Sequence, residues 1–216
     1  MPIAENLKEI KAGMPGNVVL VAVSKTKHNA LILEAYEAGQ RDFGENYVQE
    51  LIDKYDTLPK DIRWHFIGHL QSNKVKYIVP FVYLIHGVDS LSLLREINKQ
   101  AAKQNKIIDC LLQIHIASEE TKFGMDFKEA QDILNSKEFK DLNNVRVKGF
   151  MAMASNTENQ EQIKNEFSAL KNFSLQFPSL DVLSFGMSSD YKIAIEEGST
   201  MVRIGSSIFG DRNYVK

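Results

Sequence analysis

The sequence predicts an α/β fold, a single (β/α)8 TIM barrel with an extra N-terminal helix. Three observations predict it. Short β-like runs alternate with longer helix-patterned segments from one end of the chain to the other, the pattern of parallel strands joined by crossover helices. About eight such units fit within 216 residues, and barrels of this kind begin at about 200. No linker, low-complexity tract or simple repeat interrupts the series, so residues 1–216 read as one domain. The alternative, an open doubly wound sheet, would want a glycine-rich phosphate loop after the first strand, and Ser24-Lys25-Thr26-Lys27-His28 contains no glycine.

The elements follow in order. An amphipathic helix over residues 3–12 precedes a strand at 18–24, a helix over 30–38, a short strand at 42–44 and a helix over 46–55. A third strand spans 63–67, and a helix near 71–79 leads to a fourth at 82–87. Asp89 or Ser90 can cap the next helix, which runs to about 104. The apolar run 107–117 reads as a fifth strand, followed by a helix near 126–136, a sixth strand at 145–150 and a longer helix over 157–176. Residues 180–185 make the seventh strand, 189–197 a helix, 201–204 the eighth strand, and 205–210 one more helical turn.

Composition narrows the function. A formal net charge of -2, with no basic block and no basic amphipathic helix, argues against nucleic acid or a membrane surface as partner. The first ten residues carry acidic side chains and no continuous apolar core, unlike a signal or transit peptide, and no segment has the roughly 18 apolar residues that span a bilayer. A cytoplasmic location is the expectation. The one cysteine, Cys110, lies in an apolar strand, which excludes an internal disulfide and reads as a core thiol.

In such a barrel, chemistry collects at the carboxyl ends of the strands. Lys25 stands at the end of the first apolar run, on the same face as Val19, Val21 and Val23. If that face is the interior, its amine emerges over the centre of the rim, where burial or a cationic neighbour can prepare it to attack a carbonyl. Otherwise it ends a strand and points into water. Gly186-Met187-Ser188-Ser189-Asp190 follows the seventh strand and Gly205-Ser206-Ser207 the eighth. Loops at these two places commonly bind phosphate through backbone N–H groups and hydroxyls, although serine and glycine also serve as plain caps and turns. Arg203, inside the eighth strand, points into the mouth or against an outer helix, and needs either a carboxylate or a ligand lone pair as partner. An imine-forming lysine, a phosphate cradle and an arginine donor together describe a site for pyridoxal 5'-phosphate (PLP), with Lys25 for the aldehyde, the loops for the phosphate and Arg203 for the ring nitrogen.

Longer motifs carry a resemblance. Ala22-Val23-Ser24-Lys25-Thr26-Lys27, Phe43-Gly44-Glu45-Asn46-Tyr47-Val48-Gln49-Glu50, Trp64-His65-Phe66-Ile67-Gly68-His69-Leu70-Gln71-Ser72-Asn73-Lys74, Gly186-Met187-Ser188-Ser189-Asp190 and Arg203-Ile204-Gly205-Ser206-Ser207-Ile208-Phe209-Gly210 resemble the PLP homeostasis protein family. These are PLP-binding barrels related to the N-terminal domain of alanine racemase. The resemblance covers nearly the whole chain and implies that Lys25 is the imine lysine, that Asn46 lies near the cofactor, and that Ser188, Gly205 and Ser206 hold phosphate. It also suggests Met151 as a residue packing on the ring face, against the alternative of a core methionine, and brings Lys122 toward the phosphate or an incoming ligand. His69 stands where the family often has proline, which puts His69 in doubt as a cofactor contact. His65 and His69 are four apart, but they straddle a strand end and lack an obvious third zinc ligand.

The expected function is reversible PLP binding in intracellular PLP homeostasis, with delivery to PLP-requiring apo-enzymes and without efficient amino-acid turnover. A guanidinium only donates, so Arg203 would leave the ring nitrogen unprotonated and the ring a weaker electron sink. Racemases on related barrels add a second, β-rich domain with an opposing tyrosine, and no segment through Lys216 reads as that domain. A monomer is expected on the same ground. Two alternatives stand beside this one: a PLP-dependent amino-acid racemase, and a cofactor-free aldolase using Lys148.

Overall fold

A computed structural model describes residues 2–210; Met1 and residues 211–216, which the predicted domain includes, lie outside the described residues. Eight parallel strands close a barrel in sequential order, β1-β2-β3-β4-β5-β6-β7-β8, with β1 pairing β8. The order is α1 (Ile3–Ala12), β1 (Val19–Val23), α2 (Asn29–Glu37), β2 (Asp42–Glu45), α3 (Val48–Thr57) and β3 (Arg63–Phe66). A 3-10 turn (Ser72–Lys74) runs into α4 (Val75–Ile78), then come β4 (Leu84–Val88), α5 (Leu91–Lys103) and β5 (Ile108–Gln113). The remainder is α6 (Phe127–Asn135), α7 (Lys137–Lys140), β6 (Val145–Met151), α8 (Gln160–Ser174), β7 (Val182–Ser184), α9 (Tyr191–Glu196), β8 (Met201–Ile204) and α10 (Ser206–Phe209).

Local chemistry explains the boundaries. Ser90 accepts from the Leu93 amide to start α5, and Asp126 with Glu129 forms a capping box at α6. Each cap satisfies an otherwise orphaned amide and contributes about 1 kcal/mol. Ser136 stops α6 and caps α7, a one-turn helix that periodicity alone does not reveal. The fifth strand is shorter than its apolar run predicts. It ends at Gln113, because Ile114 leaves the ladder to bridge Met125 and the chain turns into the loop before α6. The helix predicted over 71–79 is half 3-10 turn, without an amphipathic stripe long enough to continue it.

Period-two alternation divides the strands between two cores. Leu20 and Ala22, Cys110 and Leu112, and Val202 and Ile204 join the large cluster between sheet and helices. Their neighbours Val21, Leu111 and Met201 meet Leu84 and Met151 in a separate cluster inside the barrel. The face that carries Val21 is therefore the interior one, and following it along β1 leads through Val23 to Lys25 at the carboxyl end. Cys110 is buried in the outer core, where burial pushes its thiol pKa up, in keeping with an inert core thiol.

Candidate functional site

A cavity of about 530 Å³ opens at the carboxyl ends of the strands. Lys25, Lys27, Asn46, Ser188, Arg203, Gly205 and Ser206 line it, together with Val23, Ile67, Met153 and Met187. Among the described residues, three cationic side chains and no carboxylate line it, so it suits an anion. Six of the seven residues singled out from the sequence meet here.

The seventh does not reach the wall. Met151 is 1 % exposed and belongs to the barrel's interior cluster; two residues further along the same face, one layer nearer the mouth, Met153 bridges that cluster and the cavity. Of Met151 and Met153, it is Met153 that reaches the cavity, and Met151 packs beneath it.

The backbone on both sides of Lys25 is held. Ser24 is buried, its Oγ donating to Glu45 Oε1 at 2.6 Å. Lys54 Nζ donates to the same carboxylate oxygen, to the Ser24 carbonyl and to Glu50, each at 2.7 Å. The Thr26 amide donates to Glu50 Oε1 at 2.5 Å, fixing Thr26 at φ 64, in the left-handed region that a β-branched residue enters only under constraint. Burial pushes the Glu45 carboxyl up to about 7 despite Lys54 and Ser24, and its Oε2 is buried without a partner.

Asn46 follows β2 directly. Its Oδ1 is buried and without a hydrogen-bond partner, an arrangement that a ligand donor would complete. The backbone is pinned by Gly68, since a Cβ on Gly68 would lie 2.3 Å from the Asn46 carbonyl oxygen. The loops after β7 and β8 are tied together by the Gly205 amide, which donates to Ser188 Oγ at 3.2 Å. Asp190 accepts from the Met187 amide and shapes the first of them. Gly186, at φ 96, turns the chain where a Cβ would meet Ala194 at 2.5 Å.

Arg203 is buried, and of the two directions open to it in the sequence it takes the barrel mouth. Nη1 donates to the Ser184 carbonyl (2.6 Å) and Oγ (2.7 Å), and Nη2 to the Ala152 carbonyl (3.0 Å), and among the described residues no carboxylate is in hydrogen-bond contact with it. Burial pushes its pKa down to about 10, partly offset by the negative charge of Asp190, so it stays charged at neutral pH. The sequence reading missed what lies behind it: buried His86 contacts Ser184, and buried His65 contacts both His86 and Asp42. A signal was present, since Asp42, His65 and His86 are polar residues that alternate with the apolar Phe43, Trp64, Phe66 and Ile85 of the outer core.

The remaining candidates lie elsewhere. Lys122 is held by the Ala154 carbonyl at 2.6 Å and by Glu119 at 3.0 Å. Lys148 sits where the β5–β6 register shifts and is not among the residues lining the cavity. His69 stacks on Phe123 with centroids 4.2 Å apart and pairs with Asp89, away from His65. Among the described residues no group of three His, Cys, Asp or Glu side chains could hold a metal ion.

Fold and site together define a barrel of the alanine racemase N-terminal domain type, and residues 2–213 match the family profile "Alanine racemase, N-terminal domain". Within that group the chain belongs to the pyridoxal phosphate homeostasis protein family. It is 40% identical over 201 residues to the pyridoxal phosphate homeostasis protein of Aquifex aeolicus, covering 90% of this chain and 87% of that one. Among solved structures it is similar to PipY of Synechococcus elongatus with PLP bound, at TM-score 0.88 and 36% identity, covering 96% of this chain and 100% of that one. Alanine racemase from Bartonella henselae shares the fold at TM-score 0.77 and 18% identity; the match covers all of this chain and 60% of the racemase.

Proposed function

We propose that the protein binds PLP reversibly through Lys25 and acts in PLP homeostasis, storing and releasing the cofactor rather than turning over amino acids. The observation that carries this is that Lys25 and Arg203 open into one cavity with a third cation, buried Asn46 Oδ1 and two serine-glycine loops, with no carboxylate among the described residues that line it. These residues fit the group. Lys25 supplies the amine, Arg203 faces the ring nitrogen as a donor, Ser188, Gly205 and Ser206 take the phosphate, and Met153 with Ile67 offers apolar surface to the ring. PLP when bound supplies an aldehyde that an amine can capture and release. The relative from Aquifex aeolicus and PLP-bound PipY support the reading.

Arg203 argues for storage over turnover. It keeps its protons, so the ring nitrogen gains none and a carbanion beside it is poorly stabilised. The proposal extends to delivery to PLP-requiring apo-enzymes by a cytoplasmic monomer. Among the described residues no helix is long and apolar enough to cross a membrane, and the one cysteine is a buried free thiol.

Titration with PLP, followed by absorption, tests the core of this. The wild-type protein gains a band near that of a lysine adduct, Lys25→Ala gains none, and borohydride reduction with mass analysis places the label on Lys25. Label on Lys148, or α-proton exchange of amino acids in deuterium oxide at racemase-like rates, overturns it.

A further inference from the structure

The buried polar groups inside the barrel form one continuous chain across it. Arg63 Nε and Nη2 grip the Asp42 carboxylate at 2.7 and 2.5 Å. Asp42 Oδ1 lies 3.0 Å from His65 Nε2, His65 Nδ1 lies 2.9 Å from His86 Nε2, and His86 Nδ1 lies 3.0 Å from Ser184 Oγ, which meets Arg203 Nη1 at 2.7 Å. The path passes from β2 to β3 to β4, crosses the interior to β7 and ends on β8 at the cavity. His65, His86 and Ser184 have no solvent exposure, so each proton on this path must be accounted for within it.

Only one assignment satisfies the chain. Arg203 can only donate, so Ser184 Oγ accepts from it; with Asp42 ionised and both rings neutral the order of donors is set from the other end, and His86 Nδ1 is the acceptor left for the Ser184 hydroxyl proton. His86 then carries its proton on Nε2 and donates to His65 Nδ1, and His65 carries its proton on Nε2 and donates to Asp42. Running the chain the other way would set a bare His65 Nε2 against a carboxylate, which requires one more proton beside the Arg63 guanidinium. Burial lowers the pKa of both histidines, in keeping with two neutral rings.

We propose that Asp42, His65, His86 and Ser184 are positioning residues for Arg203: a one-way hydrogen-bond chain, anchored on the Asp42–Arg63 pair, that fixes the guanidinium in the orientation facing the cofactor ring nitrogen. The orientation half rests on the PLP reading above; the direction of the chain does not. While His86 accepts the Ser184 hydroxyl proton, that proton is turned away from Arg203 and the rotor is fixed, and His86 accepts it only while His65 and Asp42 hold the ring in the Nε2–H tautomer.

Nitrogen-15 NMR of the histidine rings in the protein without cofactor tests the chain directly. Both His65 and His86 are expected as neutral Nε2–H tautomers at pH 7. In Asp42→Asn, whose amide can donate as well as accept, the signal of His86, two links away, moves toward the Nδ1–H form. Ser184→Ala still forms the Lys25 adduct but binds PLP roughly tenfold more weakly, the loss of one buried hydrogen bond. An Nδ1–H tautomer on either ring of the wild-type protein, a His86 signal unmoved by Asp42→Asn, or undiminished PLP affinity in Ser184→Ala overturns the proposal. If a variant fails to fold by circular dichroism, the wild-type tautomers decide. Absence of a Lys25 adduct in the wild-type protein overturns the PLP reading alone.

Discussion

Lys54 Nζ lies 2.7 Å from the carbonyl oxygen of Ser24, the residue just before Lys25, while also meeting Glu45 Oε1 at 2.7 Å. A buried ion pair on α3 and β2 thus holds the end of β1 in place, and the amine at the rim inherits its position from charges behind it.

Replacing Lys54 by methionine should separate that pair's two effects. Glu45 is then buried without its cation, and losses of this kind run to about 3–5 kcal/mol. A carboxyl whose pKa is raised by folding binds its proton more tightly in the folded chain, so stability falls as pH rises past the ordinary carboxylate value. With Glu45 already at about 7 beside Lys54, removing the lysine raises it further. Urea unfolding of Lys54→Met should show a larger loss at pH 8 than at pH 6.

Acid stability follows from the interior chain. His65 and His86 are held neutral by burial, so the unfolded chain takes up protons first and stability declines as pH falls below about 6.5. Burial works against the Asp42 carboxylate, yet hydrogen bonds from Arg63 and His65 hold it down at about 2. Its contribution, about 2 kcal/mol, is present above its ordinary pKa and disappears as pH falls toward 2. Melting temperatures from pH 8 to about pH 2 should fall in two stages, and Asp42→Asn should flatten the lower one.

The Ser188 hydroxyl joins the two loops assigned to phosphate. Ser188→Ala should weaken PLP binding by roughly tenfold while leaving pyridoxal, which lacks the phosphate, within about twofold of the wild-type protein. Equilibrium titration with both vitamers reads the difference.

Gly68 has no room for a side chain. A methyl there would press on the Asn46 carbonyl and Cα, at 2.3 and 2.9 Å, and backbone cannot give way as a side-chain tip can. Gly68→Ala should cost about 3 kcal/mol or more and displace Asn46, whereas Gly16→Ala, with nothing within 4 Å, should change stability little. Thermal denaturation of the two variants makes the comparison.

The barrel was legible because period-two alternation survives in strands buried on both faces, and β8 emerges with the predicted bounds, Met201–Ile204. Lys25, Asn46, Ser188, Arg203, Gly205 and Ser206 were legible because each follows or ends a strand, where this architecture gathers its loops. Met153 was missed because it lies beyond the end of β6, and only the three-dimensional layering shows that the same face rises one more step there. The chain from Asp42 to Ser184 was missed because its partners come from four strands, and a lone interior histidine in sequence reads as a packed residue. Neither α7 nor the early end of β5 leaves a periodic trace; a single cap and one isolated bridge decide them.

Asn6 Nδ2, on the first helix, donates to the Ile208 carbonyl in the last helix at 2.9 Å, and α1 packs against α10. The first and last described elements are thus stapled to each other at the turn that completes the loop after β8. During synthesis, β1 can neither close the sheet nor complete this loop until β8 and α10 have emerged, nearly two hundred residues later. Vitamin capture is consequently a property of the finished ring, and a ribosome-bound fragment lacking its last strand should pass the vitamer by.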